Sequence, residues 1–545
     1  MKGDFARVSF DPIRHYSEVF QQQGRVLLEA DWNEQAQIQL HLLRSFVRDL
    51  VGPCWAVGSG FALTREGPPN PNGAPAALPL ADWQLAPGHF YVDGILCVNE
   101  AVCTLANQPH APTYDYGVGD GKSGFENPPP KGYALWLDVW ERHLCAVEAP
   151  GIADMALDGV DTATRAQVVW QVRLIDQAGA QRQLEQIAAA LKTRQGAAEG
   201  AAAAAIKQQL TELAVLRKSL DGGGQSNTSP CVLVRRLLGA RAAYALPRLR
   251  AELGPQESDD DPCVIAADAR YRGMENQLYR VEIHQGGLAG TASFKWSREN
   301  GSVVFPVTRC DLGAAADDGS AQLTVKLGRM GRDARLGLAA NDWVELVDDR
   351  YTLGQRAYPL LQVLAIDPAN ASVTLNVPKN TTPWPLSDDP QQHPLLRRWD
   401  QRDAVNAQGV LAVAEGSAIT LENGIEISFE PGGVYATGDY WLIPARVAGN
   451  GQLDWPSANG AAAALPPRGR HHHAVLGISG DGNYEECCCR FDSLCELLRA
   501  STKAAPGTST HKLFAASVSG TVKSAATASA RRKRVRKPAK PAGPT

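Results

Sequence analysis

Fifty-one glycines and thirty-five prolines punctuate these 545 residues, and breaks at that density favour many short strands joined by turns. Between the breaks the chain alternates apolar and polar residues with period two, the pattern of half-buried strands. LAPGHFYVDGILCV carries an Asp93-Gly94 pair between two such runs, a strong hairpin signal. ALWLDVWERHLCAV and AQVVWQVRLI follow with the Val, Trp and Leu content of strands. Residues 80–180 therefore read as an antiparallel β unit. NQLYRVEIH, ASFKWSREN, AQLTVKLG, NDWVELVDD, ASVTLNV, AITLENGIEISFE and GDYWLIPARV continue the pattern. Turn signals at 299–301, 422–424 and 431–433 divide them at spacings typical of sandwiches or barrels. Residues 260–498 are thus the main β region.

Two segments break the period. In residues 1–60, a short strand at Val26–Ala30 is expected before Asp31 and Glu34, which are spaced like a capping box. Leu40, Leu43, Val47 and Leu50 then form one apolar stripe that must dock on something, and Gly52-Pro53 stops the helix. Residues 181–222 are rich in Ala, Gln, Leu, Glu and Lys, divided at Gly196 and Gly200. They read as an inserted, coiled-coil-like helical hairpin with Leu210, Leu213 and Leu216 or Val215 on its seam, ended by a flexible loop at 221–230. Residues 499–545 lack the apolar content to fold and read as a disordered basic tail. The expected fold class is therefore mainly β, with antiparallel sandwich- or barrel-like domains, an N-terminal helix and a helical hairpin insertion.

Composition narrows the function classes. Hydrophobic content of 44% with 21% charge is globular, and twelve Trp against four Met favour rigid packing surfaces. No apolar run approaches the roughly 18–20 residues of a membrane span, and MKGDFARVSFDP lacks the features of a signal peptide. Cytoplasmic synthesis is expected, with association to a particle afterwards. Eleven irregularly spaced cysteines fit reduced thiols better than a disulfide framework. The net charge of −4 conceals ten Lys and Arg with no acid in residues 501–545. Such a tail suits nucleic acid, an anionic membrane surface or an acidic partner.

Ten phrases in order resemble an uncharacterised bacterial domain-of-unknown-function family found with phage-tail-like and contractile injection loci. They are MKGDF, QQGRVLLEADWNEQ, LWLDVWERH, DTATRAQVVWQVRL, YRGMENQLYRVEIH, FKWSRENGS, NDWVELVDD, LRRWD, ENGIEISFEPGGVYATGDYWLIPAR and the closing HH. The resemblance spans about residues 1–180 and 260–495, leaving the 181–222 insertion and the tail outside it. PGHFYVDGIL is also similar to a hairpin pattern of baseplate and tail-associated proteins. The resemblance implies partner subunits of a tail-like particle; a carbohydrate surface is a further contact that the polar-aromatic turn in FKWSRENGS would suit.

Candidate chemistry is sparse. No nucleophile elbow, phosphate-binding P-loop or zinc-protease helix occurs. Asp138, Trp140 and Arg142 share one strand face and Glu141 and His143 the other, so Asp138 and Glu141 do not make a facing acid pair. Arg142 reads as one half of a buried ion pair. In FKWSRENGS, Trp296 and Arg298 are binding candidates; in the competing strand reading, Phe294 and Trp296 face the core while Lys295 and Ser297 face water. Asp348-Asp349 and Asp259-Asp260-Asp261 read as solvated loops, lacking the ligand alternation of a calcium loop. HHHAVLGISGDGNYEECCCR offers zinc ligands. A hairpin turning at Gly480-Asp481-Gly482 places His473 opposite Cys489 and Val475 opposite Cys487, so that His471, His473, Cys487 and Cys489 approach a tetrahedral set. With the turn-rich β pattern and the missing catalytic motifs beside it, the resemblance implies a non-enzymatic structural, adaptor or surface-binding component of a contractile injection particle. The alternatives are a polysaccharide-acting cell-envelope enzyme using Asp138, Glu141 or Glu299, and a particle-loaded cargo with a basic tail.

Overall fold

The computed structural model describes residues 1–69, 75–111, 125, 128–129, 132–157, 161–222, 228–254, 270–379, 381, 389–458, 460–480 and 483–492. Asp259-Asp260-Asp261, the middle of the 221–230 loop, the 481–482 turn and the basic tail lie outside them. The fold is mainly β. Val92 pairs with Ile95 across Asp93 and Gly94, both at positive φ, which is the geometry a two-residue hairpin turn requires. This hairpin joins a four-stranded sheet with Cys54–Val57 and Arg490–Phe491. A second sheet sets the twelve-residue strands Tyr133–Leu144 and Arg165–Asp176 side by side, and His472–Gly480 pairs along the free edge of the first. These two sheets share a core that includes Phe61, Phe90, Leu137, Val139, Trp170 and Leu476.

A five-stranded sheet is centred on Gln277–Gln285, flanked by Ser293–Ser297 and Tyr440–Arg446. Beside it six strands close a barrel in the order Val304–Leu312, Ala321–Leu327, Ser372–Val377, Leu361–Asp367, Trp343–Val347 and Leu395–Trp399. Val344, Leu346, Val373, Leu375 and Leu396 fill its interior. The residues between them on the same strands, Glu345 and Arg397, are paired in register outside the barrel core. These elements belong to one compact unit, Met1–Phe491; of the second unit, Asp492–Thr545, only Asp492 is described.

The helices differ from expectation in three ways. Helix α1 (Glu29–Val51) begins where a strand was expected, and its N-cap, Leu28, makes no side-chain bond. The hairpin forms as α2 (Gln177–Gly196) and α3 (Gly200–Leu220), with Leu213 and Leu216 buried and Val215 exposed. A third helix, α4 (Pro230–Tyr244), packs against both through Leu233 and Leu237, so the insertion closes its own small core. Finally α5 (Asp349–Gly354) is capped by Asp348, whose carboxylate accepts from the Tyr351 amide. Asp348 is therefore buried, and neither it nor Asp349 is a solvated loop acid.

Candidate functional site

The expected zinc ligands do not converge. Gly480 pairs with Asn483 and Gly477 with Glu486, one residue away from the symmetric register, and a one-residue shift exchanges strand faces. Cys487 forms a disulfide with Cys231 at the start of α4, which removes its thiolate and corrects the expectation that all cysteines are reduced. Cys489 is exposed. His472 and His473 pair instead with Val139 and Asp138 of the neighbouring strand. Among the described residues no three His, Cys, Asp or Glu side chains form a metal-holding group.

The histidines organise around Asp138. Its buried carboxylate accepts from His471 Nδ1 at 2.7 Å, faces Arg173 Nε at 3.1 Å and lies 3.6 Å from His473 Nε2. Burial alone would raise its pKa, but His471 and Arg173 outweigh it and hold the carboxyl ionised. Trp140 stacks on His471 and Trp136 meets His473 edge-on. Glu141 is bound by Arg44 of α1 at 2.8 Å, and Glu299 by Arg335 at 2.9 Å. Each proposed catalytic carboxylate is thus engaged in an ion pair.

Trp296 is buried and Arg298 is half-buried. Ser293–Ser297 is buried on both faces, so Lys295 and Ser297, expected to face water, do not. Trp296 packs in the sheet core beside Tyr279. Arg298 is paired with Glu422 at 2.7 Å.

Lys295 instead opens onto a cavity of about 180 Å³ bounded by the five-stranded sheet, the outer wall of the barrel, α5 and the Tyr133–Leu144 strand. Its lining includes Lys2, Trp140, Arg142, His143, Glu148, Arg280, Glu282, His284, Lys295, Glu345, Tyr351, Arg397 and His471. The carboxylates are partnered. Glu282 pairs with Lys2 at 3.0 Å and Arg280 at 2.5 Å. Glu345 pairs with Lys295 at 2.5 Å and accepts from Tyr351 and the Trp399 indole. Glu148 accepts from the Cys145 amide and faces Arg142, which also binds Asp349.

Burial works against ionisation of Glu345, yet the Lys295 and Lys2 charges prevail and bring it down to about 2. Glu282 is likewise held well below the carboxylate range by Lys2, Arg280 and Lys295 against the opposing effect of burial. Burial, reinforced by neighbouring cations, pushes His143 down to about 2 and His284 to about 4. At neutral pH Glu282 and Glu345 cannot donate protons and His143 and His284 are uncharged, so the cavity's chemistry is that of hydrogen-bond donors.

Some of those donors have no acceptor. Arg397 is only 4% exposed, its Nε is buried without a hydrogen bond, and among the described residues it makes no ion pair, although its charge helps hold the buried Glu148 carboxyl low. Arg142 Nε, Gln355 Nε2 and both ring nitrogens of His143 are also buried and unbonded. Leaving a buried charge uncompensated typically costs several kcal/mol. The signal for this site was present in the sequence as charges inside apolar strands: Arg280 and Glu282 in YRVEIH, Lys295 in FKW, Glu345 in WVELV and Arg397 in LRRW.

The chain belongs to DUF6519, a family of unknown function, whose profile matches residues 1–545. No curated protein matches the sequence. Among solved structures, one titled "Crystal structure of TssK" aligns over 76% of this chain and 99% of that one, at 9% identity and a TM-score of 0.14. A score that low carries no argument about fold or role.

Proposed function

We propose that this protein is a non-enzymatic structural or adaptor subunit, joined to other protein subunits through its N-terminal arm and α1. The observation that carries this reading is the apolar surface of that segment. Only Ala30 and Ile38 of α1 are buried. Trp32 is 76% and Phe46 64% exposed, and Leu28, Leu40, Leu42, Leu43 and Leu50 are exposed with them. Ile13, Phe20, Val26 and Leu27 extend the surface along the preceding arm. The expected stripe is present, and within this chain it faces outward.

A patch of this kind marks a partner surface, since burying each large side chain is worth roughly 1.5–3 kcal/mol. The helix is anchored for presentation. Glu29 accepts from the Ala6 amide, Glu34 from Ser9, Gln35 from the Val19 amide, and Arg44 holds Glu141. A Cβ at Gly94 would lie 2.2 Å from the Arg44 carbonyl, so the hairpin turn supports the helix by close backbone approach. The contractile injection particle is the setting implied by the resembling phrases. A polysaccharide-acting enzyme is disfavoured because Asp138, Glu141 and Glu299 are all tied into ion pairs. The cargo reading depends on the tail, outside the described residues.

The test is co-purification with sheath, tube or baseplate subunits, comparing wild type with Trp32→Glu and Phe46→Glu. Both sites are exposed, so thermal stability should stay within about 0.5 kcal/mol of wild type while association is lost. A wild-type chain that remains a free monomer and never enters particles sinks the proposal.

A further inference from the structure

The cavity holds buried donors that the structural role does not use. Arg397 projects from the barrel wall, nearly fully buried, with its Nε unbonded and no ion pair among the described residues. Its cross-strand neighbour Glu345 is already occupied by Lys295, Tyr351 and Trp399. Glu282 is taken by Lys2 and Arg280. Around the same space Arg142 Nε, Gln355 Nε2 and the His143 ring lack partners. The room far exceeds the roughly 15 Å³ that admits one water. Water would satisfy individual hydrogen bonds but would not answer the surplus of Lys and Arg over Glu in the lining, where Arg397 already acts on Glu148. An oxyanion does both, because each oxygen accepts several hydrogen bonds and a guanidinium matches it in bidentate geometry.

We propose that the cavity binds a small oxyanion of the phosphate or sulfate type, held chiefly by Arg397 with donors from Arg142, Gln355 and His143. The residues contacting the ion come from the barrel, the C-cap of α5 and the Tyr133–Leu144 strand, so the bound ion ties these elements together. The same chemistry could be supplied by a free ion or by the terminal group of a phosphorylated metabolite.

The test uses the full chain dialysed into a phosphate- and sulfate-free chloride buffer. Inorganic phosphate, sulfate and glycerol 3-phosphate are titrated by calorimetry at matched ionic strength, with thermal melting in parallel. Wild type should bind at least one of them saturably and melt at higher temperature when it is bound. Arg397→Met should weaken binding by about tenfold or more, the worth of a hydrogen bond to a charged group. Tighter glycerol 3-phosphate binding assigns the metabolite group, and tighter inorganic phosphate the free ion; either supports the site. No saturable binding by wild type up to about 10 mM, or undiminished binding by Arg397→Met, overturns it. Should that variant not fold, Gln355→Met supplies the same comparison, with weakened binding expected and unchanged binding counting against the site.

Discussion

His143 and His284 line one cavity and are kept neutral by burial, at about 2 and about 4, against about 6.5 in an unfolded chain. Between those values the unfolded chain binds protons that the folded protein does not. Stability from these two groups is therefore fully present above about pH 6.5 and is lost as pH falls toward their folded values. Each histidine contributes a slope of up to about 1.4 kcal/mol per pH unit. Between pH 6.5 and 5 most carboxylates remain ionised in both states, so the histidines dominate that window. Thermal melting should decline on going from pH 6.5 to 5, and His284→Gln should flatten the decline. A wild-type melting temperature constant across that window would rule this account out. Occupation of the cavity by an anion would favour protonated His143, so added phosphate should soften the same decline.

The disulfide joins two elements far apart in sequence, α4 and the last strands of the unit, across 256 residues. Loop-closure entropy for a span of that length is worth about 5 kcal/mol, and measured bridges commonly deliver 2–4. Cys231→Ser should lower the unfolding free energy from urea titration by an amount in that range, and reducing agent should shift wild type to the same midpoint. A variant as stable as oxidised wild type would show that the bridge does not constrain the chain. Such bridges persist in oxidising surroundings, so this bond bears on where the mature protein resides. The Asp93-Gly94 hairpin and the Leu213–Leu216 seam were legible because local turn chemistry and helical period determine them. Neither the bridge nor the register of the histidine strand was. Cys231 and Cys487 come together only through tertiary packing, and the strand pairs along Tyr133–Leu144 on its other edge, a partner that the local hairpin pattern does not disclose. The α1 stripe was legible as apolar, but its outward orientation was not, because a helical period does not say which surface receives it.

At the scale of the molecule, the barrel and the five-stranded sheet meet through buried charges. Lys295 of the sheet reaches Glu345 of the barrel at 2.5 Å and lies 4.4 Å from the centre of the Trp399 ring. Nearby, Ser297 and the Arg298 amide donate to Asp400 just beyond the barrel's last strand. Strand periodicity concealed this junction, because it assigns one face of each strand to water and here both faces of Ser293–Ser297 are covered. Taking a lysine and a glutamate out of water offsets much of their attraction, whereas removing one partner strands the other charge. Lys295→Met alone, and Glu345→Leu alone, should each destabilise by about 3–5 kcal/mol. The double variant should recover most of that loss, giving an interaction energy of at least about 2 kcal/mol in a urea double-mutant cycle. Strictly additive losses would mean that the two charges act separately. If the pair aligns the two bodies, each single variant should also unfold in two transitions where wild type unfolds in one, and the double variant should restore the single transition.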